Sequence, residues 1–190
     1  MSDDSAPDDG RVRCDWATAS LLYRDYHDTE WGRPLRGSAA LFERLSLEAF
    51  QSGLSWLIIL RKRENFRRAF DQFDIDRVAS YTDRDIERLL ADAGIVRNRS
   101  KIEATIANAR AAAGLDVDLG ELLWSFAPEG RPRPADLSQV PAVSPESTAM
   151  AKELKRRGFR FVGPTTAYAL MQATGMVDDH IAQCWVPAVR

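Results

Sequence analysis

The stretch "SPESTAMAKELKRRGFRFVGPTTAYALMQATG", residues 144–175, decides the fold class of this chain. Its first half begins with Ser144, a favoured N-cap, followed by Pro145 at the first helical position. This helix is predicted to end at Gly158, because glycine is the commonest residue just past a helix end. A second short helix is predicted to start just after Gly163. The stretch therefore indicates two consecutive helices with no strand between them.

Four earlier segments, at 38–53, 55–70, 82–94 and 100–114, also show helical spacing of their apolar residues. Ser38 is the predicted N-cap of the first, and Thr82 with Asp85 forms a predicted capping box in the third. No window alternates as a strand does, so the predicted class is all-α. The one long irregular connection, 127–144, holds four prolines and is a candidate hinge or lobe boundary.

The length of 190 residues suits one domain or two small lobes that share an interface. The longest apolar run, at 53–60, is far shorter than the roughly 20 residues that cross a bilayer. The acidic start is the opposite of a signal peptide. We therefore expect a cytoplasmic monomer with no membrane partner, in which the two cysteines form no stable disulfide. Residues 1–10 are predicted to be a disordered acidic tail.

The formal net charge of −2 argues at first against a nucleic-acid partner. The first ten residues hold four aspartates and no lysine or arginine, however, so the remaining 180 carry +2. Basic residues cluster at 61–68, 97–101 and 152–160, although each cluster also fits a solvated helix face. Charge alone neither selects nor excludes DNA.

The two histidines and two cysteines of the chain lie at its two ends. His180 and Cys184 are four residues apart, so on a helix they would share a face, and a short helix with turns could bring Cys14 back to His27. A Cys₂His₂ set is a tetrahedral zinc site, and four protein ligands would make it structural. The alternative is that the cysteines are small core residues and the histidines satisfied polar groups.

A second group of residues, between positions 14 and 56, combines aromatic rings with one carboxylate. Glu48 lies in an apolar context, where a carboxylate is costly unless it is paired. An aromatic box that holds one carboxylate suits a flat, cationic ligand. The alternative is that the rings belong to the core and Glu48 to a helix surface. The rings are Trp16, Tyr23, Tyr26, Trp31 and Trp56.

Seven segments together resemble the 3-methyladenine DNA glycosylase I family. They cover almost the whole chain after the acidic tail: "RCDW" (13–16), "YRDYHDTEWG" (23–32), "LFERLSLEAFQSGLSW" (41–56), "KRENFRRAF" (62–70), "DAGIVRNRSKI" (92–102), "KRRGFRFVGPTTAYALMQATG" (155–175) and "DDHIAQC" (178–184). The resemblance implies a helix-hairpin-helix glycosylase fold over residues 11–190, with two lobes and a pocket between them. It implies release of 3-methyladenine from alkylated duplex DNA by base flipping, without strand cleavage.

The resemblance also implies roles for individual residues. One structural zinc ion would join the two ends of the chain. Glu48 would be the carboxylate that recognises the base, and the extruded base would lie between aromatic walls. The zinc ligands would be Cys14, His27, His180 and Cys184, and the walls Trp16, Tyr23, Tyr26 and Trp56.

The DNA contacts implied by the resemblance are at two places. The hairpin would hold a phosphate at the helix start that contains Gly163, Thr165 and Thr166. Gln51 and Leu54 would fill the gap left by the extruded base.

Asp178 has two readings, since it could support the sugar cation or cap a helix that carries His180 and Cys184. Two other functions compete with the glycosylase. One is a zinc-stabilised DNA-binding protein without catalysis. The other is a zinc hydrolase, which four protein ligands disfavour because they leave no open metal position.

Overall fold

The computed structural model describes residues 9–188, and within this range the chain folds into nine α-helices and no strand. The helices are α1 Leu21–Thr29, α2 Ser38–Gln51, α3 Trp56–Ala69, α4 Ile75–Ala79, α5 Asp83–Ala91, α6 Arg99–Ala113, α7 Leu119–Trp124, α8 Pro145–Arg156 and α9 Pro164–Ala173. Short 3₁₀ helices lie at Asp15–Ala19, Asp71–Phe73 and Leu137–Gln139. The predicted disorder of the acidic tail falls mainly on residues 1–8, outside the described residues.

The local signals at helix ends are largely confirmed. Thr82 and Asp85 form the predicted capping box of α5, and Ser144 caps α8 ahead of Pro145. The prediction for α2 was wrong, because its N-cap is Gly37 and the Ser38 hydroxyl bonds instead to Asp118 at the start of α7. Local propensity predicted Ser38 as a cap, but its hydroxyl donates instead to a carboxylate 80 residues away in sequence.

The main hydrophobic core surrounds α2, whose residues from 41 to 50 are buried on nearly every side. Helix α2 packs against α3, α6, α7 and α9, so it has no broad solvent face. Phe50 contacts Phe66 and Phe70 of the α3 region, with ring centroids 4.7 and 5.9 Å apart. Because α2 is central, any polar side chain that it carries is placed in the interior of the molecule.

A second, smaller core joins the two ends of the described chain. Its buried members are Cys14, Tyr26, Trp31, Leu60, Ala173, Cys184 and Val186. A backbone hydrogen bond of 2.9 Å from Trp185 to Val12 links the same two segments directly.

The segment after α9 corrects one prediction. Residues 178–188 form turns and not a helix, so His180 and Cys184 do not share a helix face. The amide of Cys184 donates to the Ile181 carbonyl at 2.8 Å, which closes a tight turn between the two side chains. A turn brings residues four apart together just as a helix does, so the pairing is right although the element is wrong.

No helix among residues 9–188 has the length and apolar character needed to cross a membrane.

Candidate active site and metal-ligand cluster

Four buried side chains form a group that can hold a metal ion, here called the metal-ligand cluster: Cys14, His27, His180 and Cys184. Their ligand atoms all lie within 4.8 Å of one another. Cys184 Sγ lies 3.5 Å from His27 Nε2 and 3.5 Å from His180 Nδ1, and Cys14 Sγ lies 3.8 Å from His180 Nδ1. A tetrahedral metal ion with bonds of about 2.0–2.3 Å separates its ligands by roughly 3.3–3.8 Å, the range in which these three distances fall.

Neighbouring groups orient both imidazoles of the metal-ligand cluster. His27 Nδ1 lies 2.8 Å from the Asp28 carboxylate, which leaves Nε2 directed at the cysteines. His180 Nε2 lies 3.2 Å from the Trp31 carbonyl, which leaves Nδ1 directed at them. Metal-binding histidines ordinarily have such partners, because the partner fixes the ring and its tautomer.

The two thiols of the metal-ligand cluster influence each other's ionisation. A hydrogen bond from the Cys14 thiol, together with the two imidazoles, holds the pKa of Cys184 far below its ordinary value. The same contact and burial raise the pKa of Cys14. The two cysteines form no disulfide. One thiolate is therefore already favoured, and metal ligation requires the thiolate form.

A cavity of about 440 Å³ opens next to the metal-ligand cluster. It is lined by Trp16, Tyr23, Tyr26, Trp31, Glu48, Gln51, Trp56, Leu137, Val140, Ala169, Gln172 and Asp179. This cavity is called the pocket below. All five predicted ring residues line it together with Glu48, whereas Leu137 and Val140 come from the irregular connection that the sequence marked as a possible hinge.

The rings of the pocket hold one another edge to face. Trp16 lies 5.7 Å from Tyr23 and 5.1 Å from Trp31, with interplanar angles of 82° and 79°. Tyr26 lies 5.6 Å from Trp56. The Tyr23 hydroxyl accepts a hydrogen bond of 2.9 Å from the Leu57 amide, which fixes Tyr23 to the start of α3. The rings therefore form rigid walls rather than mobile surface groups.

Glu48 projects from α2 into this pocket and is almost fully buried. Burial raises the pKa of Glu48 to about 7, and the positive charge of Arg44 partly opposes the increase. Within residues 9–188 no protein group donates a hydrogen bond to this carboxylate, so a ligand can supply the donor. The Trp56 indole nitrogen is likewise buried with no partner in that range.

The two neighbouring aspartates at positions 178 and 179 have different environments. Asp178 does not line the pocket; its carboxylate accepts from Arg133 at 2.8 Å and, weakly, from the His180 amide. The helix that it was suggested to cap does not exist.

Asp179 lines the pocket, and the sequence analysis missed it. Its carboxylate accepts from Tyr168 at 2.6 Å, from Arg131 at 2.6 Å and from Gln172 at 2.9 Å. Adjacent aspartates look alike in a sequence, and only the turn decides which one faces inward.

The residues suggested for DNA contact lie at two surface turns. Gln51 lines the pocket, and its side-chain amide donates to the Leu54 carbonyl at 2.8 Å, closing the turn between α2 and α3. Gly163 and Thr165 are exposed at the start of α9, and Thr166 is half-buried.

A model of the methyladenine glycosylase family matches residues 16–187. The DNA-3-methyladenine glycosylase 1 of Escherichia coli (strain K12) is 46% identical over 178 residues, which are 90% of this chain and 95% of that protein. A solved structure of 3-methyladenine DNA glycosylase I (TAG) is 47% identical with a TM-score of 0.88, covering 92% of this chain and 98% of that one. A point variant of TAG in complex with 3-methyladenine is 34% identical with a TM-score of 0.88, covering 94% and 99%.

The class that the fold and the pocket define is thus a glycosylase, a hydrolase of N-glycosyl bonds. Within that class, the chain belongs to the methyladenine glycosylase family.

Proposed function

We propose that the protein initiates base-excision repair by releasing 3-methyladenine from alkylated duplex DNA. The observation that carries this proposal is the position of Glu48, a buried carboxylate that lies inside an aromatic pocket and receives no hydrogen bond from residues 9–188. A cationic base with donors on its edge supplies both a charge and hydrogen bonds that such a carboxylate lacks. The complex of a related glycosylase with 3-methyladenine supports the same ligand.

The chemistry asks little of the protein once the base is extruded from the helix. Methylation at N3 makes adenine cationic and weakens its bond to the sugar. As that bond breaks, its electron pair goes to the base, and water adds to the sugar carbon with loss of a proton. Rings from Tyr23, Tyr26 and Trp56 stack on or edge the base while Glu48 accepts from it. Neutral adenine brings no charge to offset the buried carboxylate, which favours the damaged base.

Strand cleavage is not part of the proposal. A glycosylase that also cuts the strand commonly uses a lysine to form a Schiff base with the sugar. The described residues that line the pocket include no lysine. The nearby Lys101 is buried, and its ammonium donates to the carbonyls of Phe50 and Ser52. The ammonium group of Lys101 thus satisfies backbone carbonyls at the C-terminal end of α2, so it is not free to act as a nucleophile.

DNA binding is assigned to a helix-hairpin-helix formed by α8, the turn after it, and α9. Helix α9 begins after Gly163, and its first backbone amides are free to hold a phosphate without reading sequence, beside Thr165 and Thr166. Gln51 and Leu54, on the turn next to the pocket, would fill the gap that the extruded base leaves. Asp179, rather than Asp178, is the aspartate near the pocket.

Zinc is the ion that the metal-ligand cluster fits best. Two thiols and two imidazoles at tetrahedral spacing, each imidazole held by a second group, are its usual ligand set. All four positions would be filled by protein, so the ion would be structural. Its place would be to join the segment that carries Trp16, Tyr23 and Tyr26 to the C-terminal turns.

The test is a base-release assay on alkylated duplex DNA with the freed bases identified by mass. We expect 3-methyladenine release from the wild type, and roughly ten- to a hundredfold slower release from Glu48→Gln with DNA binding retained, as for loss of a hydrogen bond to a charged group. The matched control is Glu43→Gln on the same helix, since Glu43 pairs with Arg67 and does not line the pocket. An unchanged rate for Glu48→Gln would remove Glu48 from the mechanism. If zinc-loaded protein bound DNA but released no base, a non-catalytic DNA sensor would replace the proposal.

A further inference from the structure

Helix α2 carries a second buried charge, Arg44, four residues before Glu48 and hence on the same side of the helix. Arg44 is only 8% exposed, yet it does not line the pocket. Its guanidinium carbon lies 5.3 Å from the centre of the Tyr26 ring and 5.6 Å from that of Trp56. A buried cation directly behind the pocket walls has no part in the function proposed above.

The buried guanidinium of Arg44 is stabilised by two hydrogen-bond acceptors. One guanidinium nitrogen donates to the Tyr26 hydroxyl at 2.6 Å, and another donates to Glu30 at 3.3 Å. Glu30 also accepts from Arg63 at 2.6 and 2.8 Å, which is a two-pronged pair. Arg44 can therefore be removed without leaving Glu30 unpaired, because Arg63 remains.

The hydrogen bond to Tyr26 restricts where that hydroxyl can point its proton. A guanidinium is only a donor, so the Tyr26 oxygen must accept from it. Because Arg44 donates to this oxygen, the phenolic proton must point away from the guanidinium. Tyr26 is a wall of the pocket, so a ligand in the pocket can accept this proton.

We infer that Arg44 is a positioning residue that makes Tyr26 a fixed donor in the pocket that also holds the acceptor Glu48, so that the pocket selects an adenine-type edge. This inference rests on the proposed function. An adenine edge offers an amino donor next to a ring nitrogen that accepts. A guanine edge offers a carbonyl and an N–H at these positions, which is the reverse pattern. Without Arg44, the Tyr26 hydroxyl can rotate and accept from a guanine edge.

The test compares release of 3-methyladenine with release of 3-methylguanine from the same alkylated duplex. We expect Arg44→Met, which keeps the length of the side chain, to reduce the preference for 3-methyladenine about tenfold, as for loss of one oriented hydrogen bond. Tyr26→Phe should reduce it equally. The double variant should be no worse than either single one, because both changes remove the same contact. Arg44→Lys should keep most of the preference, since an ammonium group is also only a donor.

The control is Arg67→Met in α3, an arginine that pairs with Glu43 away from the pocket. A purely structural Arg44 would slow release of both bases equally, and this result would overturn the inference. Additive effects of Arg44→Met and Tyr26→Phe would also overturn it.

A second measurement separates the inference from the proposed function. Binding of free 3-methyladenine and 3-methylguanine, followed by tryptophan fluorescence, gives the same preference without any reaction. If the wild type binds the bases with that preference but releases neither, the proposed function fails and the inference stands. If it binds neither base, both fail.

Discussion

The metal-ligand cluster and the pocket differ in how far protein groups satisfy their polar side chains. In the metal-ligand cluster, the ligand atoms lie close together and each imidazole has a second partner. In the pocket, the Glu48 carboxylate has no donor from the described chain. The two sites nevertheless share helix α1, which supplies His27 to one and Tyr26 to the other. The metal-ligand cluster could hold a metal ion between the two ends of the described chain, and an ion bound there would serve stability. The pocket keeps an unfavourable charge buried and serves a ligand. The difference predicts opposite responses when a residue is removed from each.

The largest effect is expected from breaking the metal-ligand cluster. Cys184→Ser should lower the free energy of unfolding by more than about 3 kcal/mol, and it should abolish metal binding, because the proposed ion would join the two ends of the described chain and metal-binding free energy adds to folding. Chelation of the wild type should have a similar effect. The measurement is thermal unfolding with and without a chelator, alongside metal content. An unfolding temperature that does not change on chelation would show that the ion is not structural.

The second prediction is that Glu48→Gln, in the pocket, raises the free energy of unfolding instead of lowering it. The folded-state pKa of about 7 lies above the value of 4.5 for an ordinary glutamate, so the folded protein holds the proton more tightly. The free energy of unfolding therefore falls as pH rises from about 4.5 to about 7, because the unfolded protein loses this proton first. Above pH 7 the destabilisation by Glu48 has reached its full size. Glu48→Gln should raise the free energy of unfolding at pH 8 by up to roughly 3 kcal/mol.

The measurement for this prediction is denaturant unfolding of both proteins at pH 8 and pH 5.5. The gain should shrink at the lower pH, where Glu48 is already neutral in the folded state. A gain that does not depend on pH would mean that folding does not shift the pKa of Glu48, and that the gain has another cause.

A third prediction concerns Gly32, which supports the metal-ligand cluster from the side. Its φ is +74°, and an added methyl group would lie 2.8 Å from His180 Nε2. Gly32→Ala should therefore strain the backbone and displace the imidazole, costing about 2 kcal/mol and weakening metal affinity. Gly130→Ala, where nothing lies within 4 Å, is the control for the loss of a glycine. Equal effects of the two substitutions on stability and metal affinity would show that Gly32 does not support the metal-ligand cluster.

The smallest effect is expected from Asp178→Asn. Its pair with Arg133 also orients that arginine towards the carbonyls of Cys184 and Val186, so the change should cost about 1 kcal/mol and leave base release unaffected. Asp179→Asn should instead slow release, because Asp179 lies in the pocket. The release assay on both variants checks this contrast. If Asp178→Asn slowed base release, Asp178 would have a role in the reaction after all.

The α-helical class and most helix limits could be predicted because they depend on signals close together in sequence. Capping residues such as Thr82 and Ser144, and prolines and glycines at helix ends, act over one turn of helix. The pairing of Cys14 and His27 with His180 and Cys184 was also indicated, since few side chains bind zinc and the chain has only these four soft ligands.

Only the tertiary structure decided the remaining features. The turn at 178–188 places Asp179 in the pocket and Asp178 outside it, and the long connection supplies Leu137 and Val140 to the wall. Arg44 is a surface residue by its type, and it is buried because α2 lies at the centre of the fold. These outcomes depend on contacts between residues far apart in the chain, which local propensity does not encode. Local signals in the sequence set most helices and supplied the four candidate metal ligands, because they act between near neighbours. Packing determined which side chains lie face to face, because it depends on contacts across the chain.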